Sequence, residues 1–334
     1  MHAARVTAGV LAGLDHRCAL RGLDAVRIGR RHGLDDAAWN DPGAEIPLVS
    51  FAGLMSSIAE GWADPVATRD LGRAFDLAAF GDTGLAVLAS GSLGEALRRF
   101  AENVALLQDA CEVSLHVGET RTAVRYRVLD PDVWPRREDA RFTLGVFESV
   151  VDRFVERPGA GVRHVIGPGA DDDTSELRFP TRWLDRRRIR EPARAPRPSL
   201  PELEARLAAS RRARLSGTPF AERVRAVLLR RLGRERIDQT SVAAELCLTR
   251  RTLRRRLAAG STSWSRVLHE CRFAVARHEL VHGARSFAAI AARTGYSEQS
   301  AFTRAFALEH GMSPREYRRR AAPDAARRVH PRAR

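Results

Sequence analysis

At 334 residues the chain has room for two domains of ordinary size, each with a core of its own. A balance of 44% apolar and 29% charged residues excludes a mostly disordered chain. No apolar run approaches the ~18 residues of a membrane span, which excludes an integral helical membrane protein.

The formal charge of +15 comes entirely from Arg, with no Lys, and it is unevenly placed. Residues 1–199 hold 27 Arg against 29 Asp and Glu, while residues 200–334 hold 29 Arg against 12. The first part is therefore near −2 and the second near +17. Codon bias acts along the whole chain and cannot create that step, whereas a polyphosphate partner favours a basic field on the part that touches it.

The first 20 residues are interrupted by His2, Arg5, Asp15, His16 and Arg17, so no signal peptide is read there. Helical patterns open the chain. Ser92-Leu93-Gly94-Glu95 has capping-box spacing and predicts a helix to about Leu107, with Leu97, Phe100, Val104 and Leu107 inward. Alternation at 113–117, 123–128 and 176–179 predicts strands, and 142–155 reads as a further helix, so this region is α+β. Trp39, Trp62, Phe142, Phe147 and Trp183 could line a pocket, but core packing explains them equally well, and effector-binding residues stay unassigned.

Residues 186–201 are rich in Arg and Pro, coincide with the charge step and read as a linker. Ser199-Leu200-Pro201-Glu202 starts a connecting helix through Leu203 and Leu207 to about Arg212. Thr218-Pro219 looks like a cap and a first-turn proline, opening a helix with Val224, Val227 and Leu228 inward.

An internal repeat follows. Val242-Ala243-Ala244-Glu245-Leu246-Cys247-Leu248-Thr249 recurs 48 residues later as Ile290-Ala291-Ala292-Arg293-Thr294-Gly295-Tyr296-Ser297. Each octet has what two helices meeting at a tight turn require: β-branched and small residues at the contact, a turn residue, an apolar plug, then a hydroxyl N-cap. Leu253 and Leu257 after the first, and Phe302 and Phe306 after the second, give each following helix an inward stripe. Between them, Trp264, Val267, Leu268, Cys271, Val275 and Leu280 recur at helical spacing and predict one long helix. Ser313-Pro314-Arg315-Glu316 opens a closing helix.

Catalytic and metal patterns are missing: there is no H-E-x-x-H, G-x-S-x-G, P-loop or dinucleotide glycine motif. Ser90-Gly91-Ser92-Leu93-Gly94 lacks the leading glycine of a nucleophile elbow. Asp171, Asp172 and Asp173 beside Gly167 and Gly169 fit a solvated loop better than a cation site, and His116 and His164 are lone residues. The four cysteines, Cys18, Cys111, Cys247 and Cys271, stand far apart, so neither zinc nor disulfides are indicated and a reducing cytoplasm suits them. No enzyme activity, cofactor or metal is expected.

Over 237–320 the chain resembles the AraC/XylS family of transcription regulators. The resemblance rests on the two octets, the segment from Arg272 to Leu280, and the closing Gly311-Met312-Ser313-Pro314-Arg315-Glu316-Tyr317-Arg318. It implies two helix-turn-helix units joined by a long helix, with the second helix of each entering successive major-groove segments ~34 Å apart. It thereby implies DNA contacts from Arg250, Arg251, Arg254 and Arg255 in the first reading helix, and from Gln299, Ser300, Thr303 and Arg304 in the second. One departure stands out: Cys247 occupies the turn where the family, and the second octet, place Gly. Left-handed backbone costs a non-glycine residue ~1–2 kcal/mol, so a strained or altered first turn is expected.

Over about 15–185 the order of elements resembles the sensor domain of one subgroup, arabinose-binding-like and related to ornithine-utilisation regulators. That implies a small-molecule effector, not necessarily arabinose, and allows a homodimer. The resulting fold class is an α+β N-terminal sensor domain followed by an all-α DNA-binding domain. The expected layout is a sensing and dimerisation domain over 1–185, a linker and connecting helix over 186–215, a double helix-turn-helix domain over 216–321 and a disordered basic tail over 322–334. The expected function is a cytoplasmic, effector-responsive activator of transcription, with promoter DNA and RNA polymerase as partners and no membrane. The alternative is an architectural, effector-independent DNA-binding protein. A fused alkylation-repair enzyme is disfavoured, because no cysteine has a Pro-Cys-His context.

Overall fold

The computed structural model describes residues 4–166, 174–189, 198–235 and 237–329, with side chains as far as Ala321. The Asp171–173 run and most of the linker lie outside the described residues, as do the side chains of the expected tail. Two compact units are present, Met1–Ile166 with Asp173–Ser216, and Gly217–Arg334.

The first unit is mixed. Strand β1 (Arg5–Thr7) pairs antiparallel with β2 (Glu45–Pro47). Between them lie α1 (Leu14–Ala19), α2 (Ala25–Arg31) and α3 (Asp36–Asn40). Asp24 and Asp35 cap the last two by accepting from Arg27 N and Ala38 N at 2.9 Å each. Helix α4 (Leu48–Trp62) runs through the core and buries Leu48, Phe51, Leu54, Met55 and Ile58.

Next come α5 (Ala67–Arg73), α6 (Gly81–Leu88) and α7 (Leu93–Asn103). Ser92 caps α7 as expected, accepting from Glu95 N at 3.3 Å, and Glu95 reaches back to Gly91 N at 3.1 Å. Helix α8 (Arg137–Val151) begins five residues before the apolar pattern that predicted it, because its first turn is charged. It crosses α5 at backbone contact: a Cβ at Gly72 would stand 2.0 Å from the Phe142 carbonyl oxygen, and one at Gly145 2.0 Å from that of Arg69. Only glycine at both positions permits that approach.

Helix α8 also covers one face of an antiparallel sheet ordered β3 (Cys111–Val117), β4 (Arg121–Val128), β6 (Thr174–Pro180), β5 (Arg163–Ile166). Val113, Val124, Tyr126, Leu177 and Phe179 alternate into the core on that face. The four-residue edge strand β5 and the three-residue strands β1 and β2 were too short to show a period. Phe142, Phe147 and Trp183 are core residues, and Trp39 and Trp62 are partly buried against the same core.

The connecting helix α9 (Leu200–Gly217) runs further than the sequence indicated and packs on this unit. Leu203 and Leu207 are buried against Ala86. Arg99 pairs with Glu204 at 2.9 Å, Arg206 with Asp82 at 3.8 Å, and Arg214 with Asp109. Its capping box is half formed, with Ser199 N donating to Glu202 Oε2 at 2.7 Å.

The second unit is helical: α10 (Phe220–Arg231), α11 (Gln239–Glu245), α12 (Arg250–Ala259), α13 (Trp264–His282), α14 (Phe287–Arg293), α15 (Gln299–His310) and α16 (Pro314–Val329). Pro219 is the cap of α10 rather than its first helical residue. There are two small cores. Val224, Val227, Leu228, Val242, Leu253 and Leu257 fill the first, and Ile290, Ala291, Phe302 and Phe306 the second. Helix α13 enters both, giving Val267 and Cys271 to the first and Phe273, Ala276 and Leu280 to the second. The predicted long helix is therefore a shared wall.

Candidate nucleic-acid interface

The two octets fold into the same corner. In the first, Cys247 N donates to Ala244 O at 2.9 Å and Leu248 N to Ala243 O at 2.8 Å. In the second, Gly295 N donates to Ala292 O at 3.0 Å and Tyr296 N to Ala291 O at 2.9 Å. This pair of bonds is a Schellman motif, which needs a left-handed residue at the turn. Cys247 adopts φ 56° and Gly295 φ 80°. Of the two outcomes expected at Cys247, strain is the one observed: the turn keeps the shape of the second corner, and Cys247 takes the left-handed conformation with its side chain exposed.

Past the corner, Thr249 caps α12 by accepting from Thr252 N at 3.2 Å. Ser297, expected as the matching cap, does not perform that role. The cap of α15 is Glu298, whose side chain makes no capping hydrogen bond. Position 250 is already helical, whereas its counterpart 298 is extended at φ −133° and ψ 136°, which starts α15 one residue later.

Leu253 and Leu257 turn inward from α12, which leaves Arg250, Arg251, Arg254, Arg255 and Arg256 exposed on a helix with no acidic residue. Acidic side chains in this unit pair with other arginines: Glu270 with Arg225 at 2.5 Å and Arg266 at 3.2 Å, Glu245 with Arg231 at 3.6 Å, and Glu235 with Arg231 at 2.8 Å. Among the described residues, Arg250, Arg251 and Arg255 have no ion-pair partner. The outward face of α12 is therefore a run of uncompensated guanidinium groups.

Arg254 is held differently. Its Nε donates to Gln239 Oε1 at 3.1 Å, and Gln239 is only 9% exposed at the start of α11. A fixed carboxamide therefore orients one guanidinium across the helix pair. Sequence reasoning missed Gln239, because it lies before the octet. Arg256 points elsewhere, 5.6 Å from the Phe220 ring.

On α15, Phe302 and Phe306 are fully buried, so Gln299, Ser300 and Arg304 emerge exposed and Thr303 half-buried. Two contacts from outside the pair steady this second corner. Arg272 of α13 donates to Gly295 O at 3.2 Å and lies 5.1 Å from the Tyr296 ring. Glu279 of α13, 1% exposed, pairs with Arg293 Nε at 2.8 Å and Arg285 Nε at 3.4 Å. Ser313 caps α16 as expected, accepting from Glu316 N at 3.2 Å. The eight sequence-derived residues thus fall on two matching helices, seven exposed and one half-buried. No group of three or more metal-ligating side chains occurs among the described residues.

A family model described as a helix-turn-helix domain matches residues 242–320, and one described as the arabinose-binding domain of AraC transcription regulator, N-terminal, matches residues 22–166. The chain belongs to the AraC family of transcription regulators. Two relatives named as uncharacterized HTH-type transcriptional regulators, from Mycobacterium bovis and Mycobacterium tuberculosis, are each 43% identical over 81 residues, 24% of this chain and 24% of the relative. The match spans about a quarter of those relatives. A DNA-binding transcriptional dual regulator from Escherichia coli K-12 is 30% identical across 32% of this chain and 95% of that one, with a TM-score of 0.30. The transcriptional regulator CdpR from Pseudomonas aeruginosa is 22% identical across 80% of this chain and 90% of its own, with a TM-score of 0.33. In this AraC-family chain the helix-turn-helix match begins at Val242, the first residue of the repeated octet. No helix among the described residues is long and apolar enough to cross a membrane.

Proposed function

We propose that this protein is a sequence-specific DNA-binding transcription regulator in which both helix pairs act as helix-turn-helix units, with α12 and α15 as the reading helices. The observation that carries this reading is the repeated Schellman corner with its exposed, unpaired polar face. Each pair presents its second helix outward in the same way, and the arginines of α12 lack counter-charges. Arg250, Arg251, Arg254 and Arg255 match the fork geometry of guanine O6 and N7 or of phosphate, and Gln299 matches adenine. Ser300, Thr303 and Arg304 complete the second face.

The first unit acts as the sensor for a small-molecule effector, and effector occupancy changes transcription, in the activating direction. Such coupling requires the effector to favour one arrangement of the protein over another. RNA polymerase contact and homodimer formation belong to the same reading, as does a cytoplasmic setting.

Binding to the duplex upstream of the gene, at two salt concentrations and against a scrambled duplex of equal length, tests the proposal. Tighter binding to the native duplex at both salts supports specific regulation. Equal, steeply salt-dependent binding to both would replace it with the architectural, effector-independent alternative.

A further inference from the structure

The four-stranded sheet of the first unit has a second face, away from the core, and its chemistry is unusual. Cross-strand register places Ala123 of β4 opposite His116 of β3 and opposite Arg178 of β6. Arg178 in turn stands opposite Arg163 of β5. Along β4, Arg121 and Arg125 lie two residues to either side of Ala123 and so share its face, each about 7 Å away. One small side chain is thus flanked by three arginines and a histidine, with Arg163 one strand further out on the same face.

The only carboxylate among the described residues that is bound into this cluster is Glu176, whose side chain is 8% exposed. It accepts from Arg125 Nε at 2.5 Å and from Arg178 Nε at 2.6 Å, so a single negative charge serves two guanidinium groups and fixes both. Arg125 also lies 3.3 Å from the His116 ring. Arg121 and Arg163 are exposed and have no ion-pair partner among the described residues. Glu119, in the turn between β3 and β4, pairs with none of them.

Like charges directly opposed across strands destabilise a sheet. A fold that keeps Arg163 against Arg178, beside Arg121 and Arg125, carries a local cationic excess that an anion would relieve. The excess is a local one, since residues 1–199 as a whole are near −2. A long duplex would extend over a unit with no net positive charge, whereas a small anion would meet only these arginines.

We infer that the outer face of this sheet, centred on Ala123, binds a small ligand carrying at least two acidic groups, carboxylate or phosphate. Oriented guanidinium forks suit either group bidentately, and the small floor at Ala123 lets the ligand approach the strand. The inference rests on the sensor reading of the first unit and names the chemical class of its effector.

The test is thermal unfolding of the full chain in millimolar citrate or pyrophosphate, against sodium chloride of matched ionic strength. A rise in Tm of several degrees is expected with at least one of them. Citrate alone would assign a carboxylate ligand and pyrophosphate alone a phosphorylated one. The rise should vanish in Arg121→Ser/Arg163→Ser and in Ala123→Glu, and persist in Arg250→Ser/Arg251→Ser. Should Ala123→Glu fail to fold, the exposed-arginine pair decides. Duplex binding by Arg121→Ser/Arg163→Ser without either anion should match the parent, which separates this site from the DNA reading. No stabilisation by either anion, an equal rise in parent and sheet variant, or loss of duplex binding in the sheet variant would overturn the inference.

Discussion

Cys247 and Gly295 occupy the same corner of their respective helix pairs, both left-handed, at φ 56° and 80°. The two corners share a hydrogen-bond pattern, so they differ chiefly in what that conformation costs the residue. A side chain in left-handed backbone costs ~1–2 kcal/mol, and glycine returns part of that gain as unfolded-state entropy. Cys247→Gly should therefore stabilise the second unit by roughly 0.5–1 kcal/mol, read from urea unfolding. Gly295→Ala should do the reverse, since its Cβ would also meet Arg272 at 3.1 Å. A destabilised Cys247→Gly would show that the thiol makes a contact worth more than the strain.

Arg254 and Arg304 provide a contrast between held and unheld guanidinium groups. Loss of Gln239 as the Arg254 acceptor, in Gln239→Leu, should weaken specific duplex binding about fivefold, the equivalent of one ~1 kcal/mol hydrogen bond. Arg304→Ala should lower affinity for the native duplex by ~1–3 kcal/mol while leaving scrambled DNA nearly unaffected. Equal losses on both duplexes would make Arg304 a phosphate contact.

Glu279 ties the wall helix α13 to Arg293 at the end of α14. Glu279→Ala removes a buried counter-charge, but the side chains of Arg293 and Arg285 are 21% and 35% exposed and water can partly replace it. The expected loss is about 1–3 kcal/mol, below that of a wholly buried pair, with faster amide exchange in α14 and α15 than in α11 and α12. Uniform exchange across both pairs would mean that the second corner does not depend on this ion pair.

Asp139 gives the first unit a pH dependence of definite sign. Burial raises its carboxyl from 3.8 to about 6, opposed by the hydrogen bond from Tyr126 and by Arg136. Tyr126 donates to it at 2.8 Å while accepting from Gln108 at 2.7 Å. The folded state holds the proton more tightly than the unfolded chain. The stabilising contribution is thus complete below the unfolded value and is lost as pH rises through about 6. Asp139→Asn keeps the acceptor without the charge. Its unfolding free energy should exceed the parent's at pH 8 by an amount on the order of 3 kcal/mol, and the two should converge near pH 4. A difference independent of pH would assign the effect to packing.

How much of this was legible in sequence depends on the range of the interactions involved. The octets, the caps at Ser92, Thr249 and Ser313, and the inward stripes of α12 and α15 are local matters of spacing, visible within a few residues. Where neighbouring backbone decided, the reading slipped by a residue or more: Glu298 instead of Ser297 at the second cap, Pro219 as a cap, and a charged first turn on α8. The sequence by itself determined that there are two helix pairs, which residues face outward on them, and where the positive charge lies. The tertiary structure alone decided what each outward residue meets. Gln239 orients Arg254 across fifteen residues of chain, Glu279 braces a corner it does not belong to, and four arginines from three strands share one sheet face with Ala123. Those relations come from register and packing between elements distant in sequence, which no local period encodes.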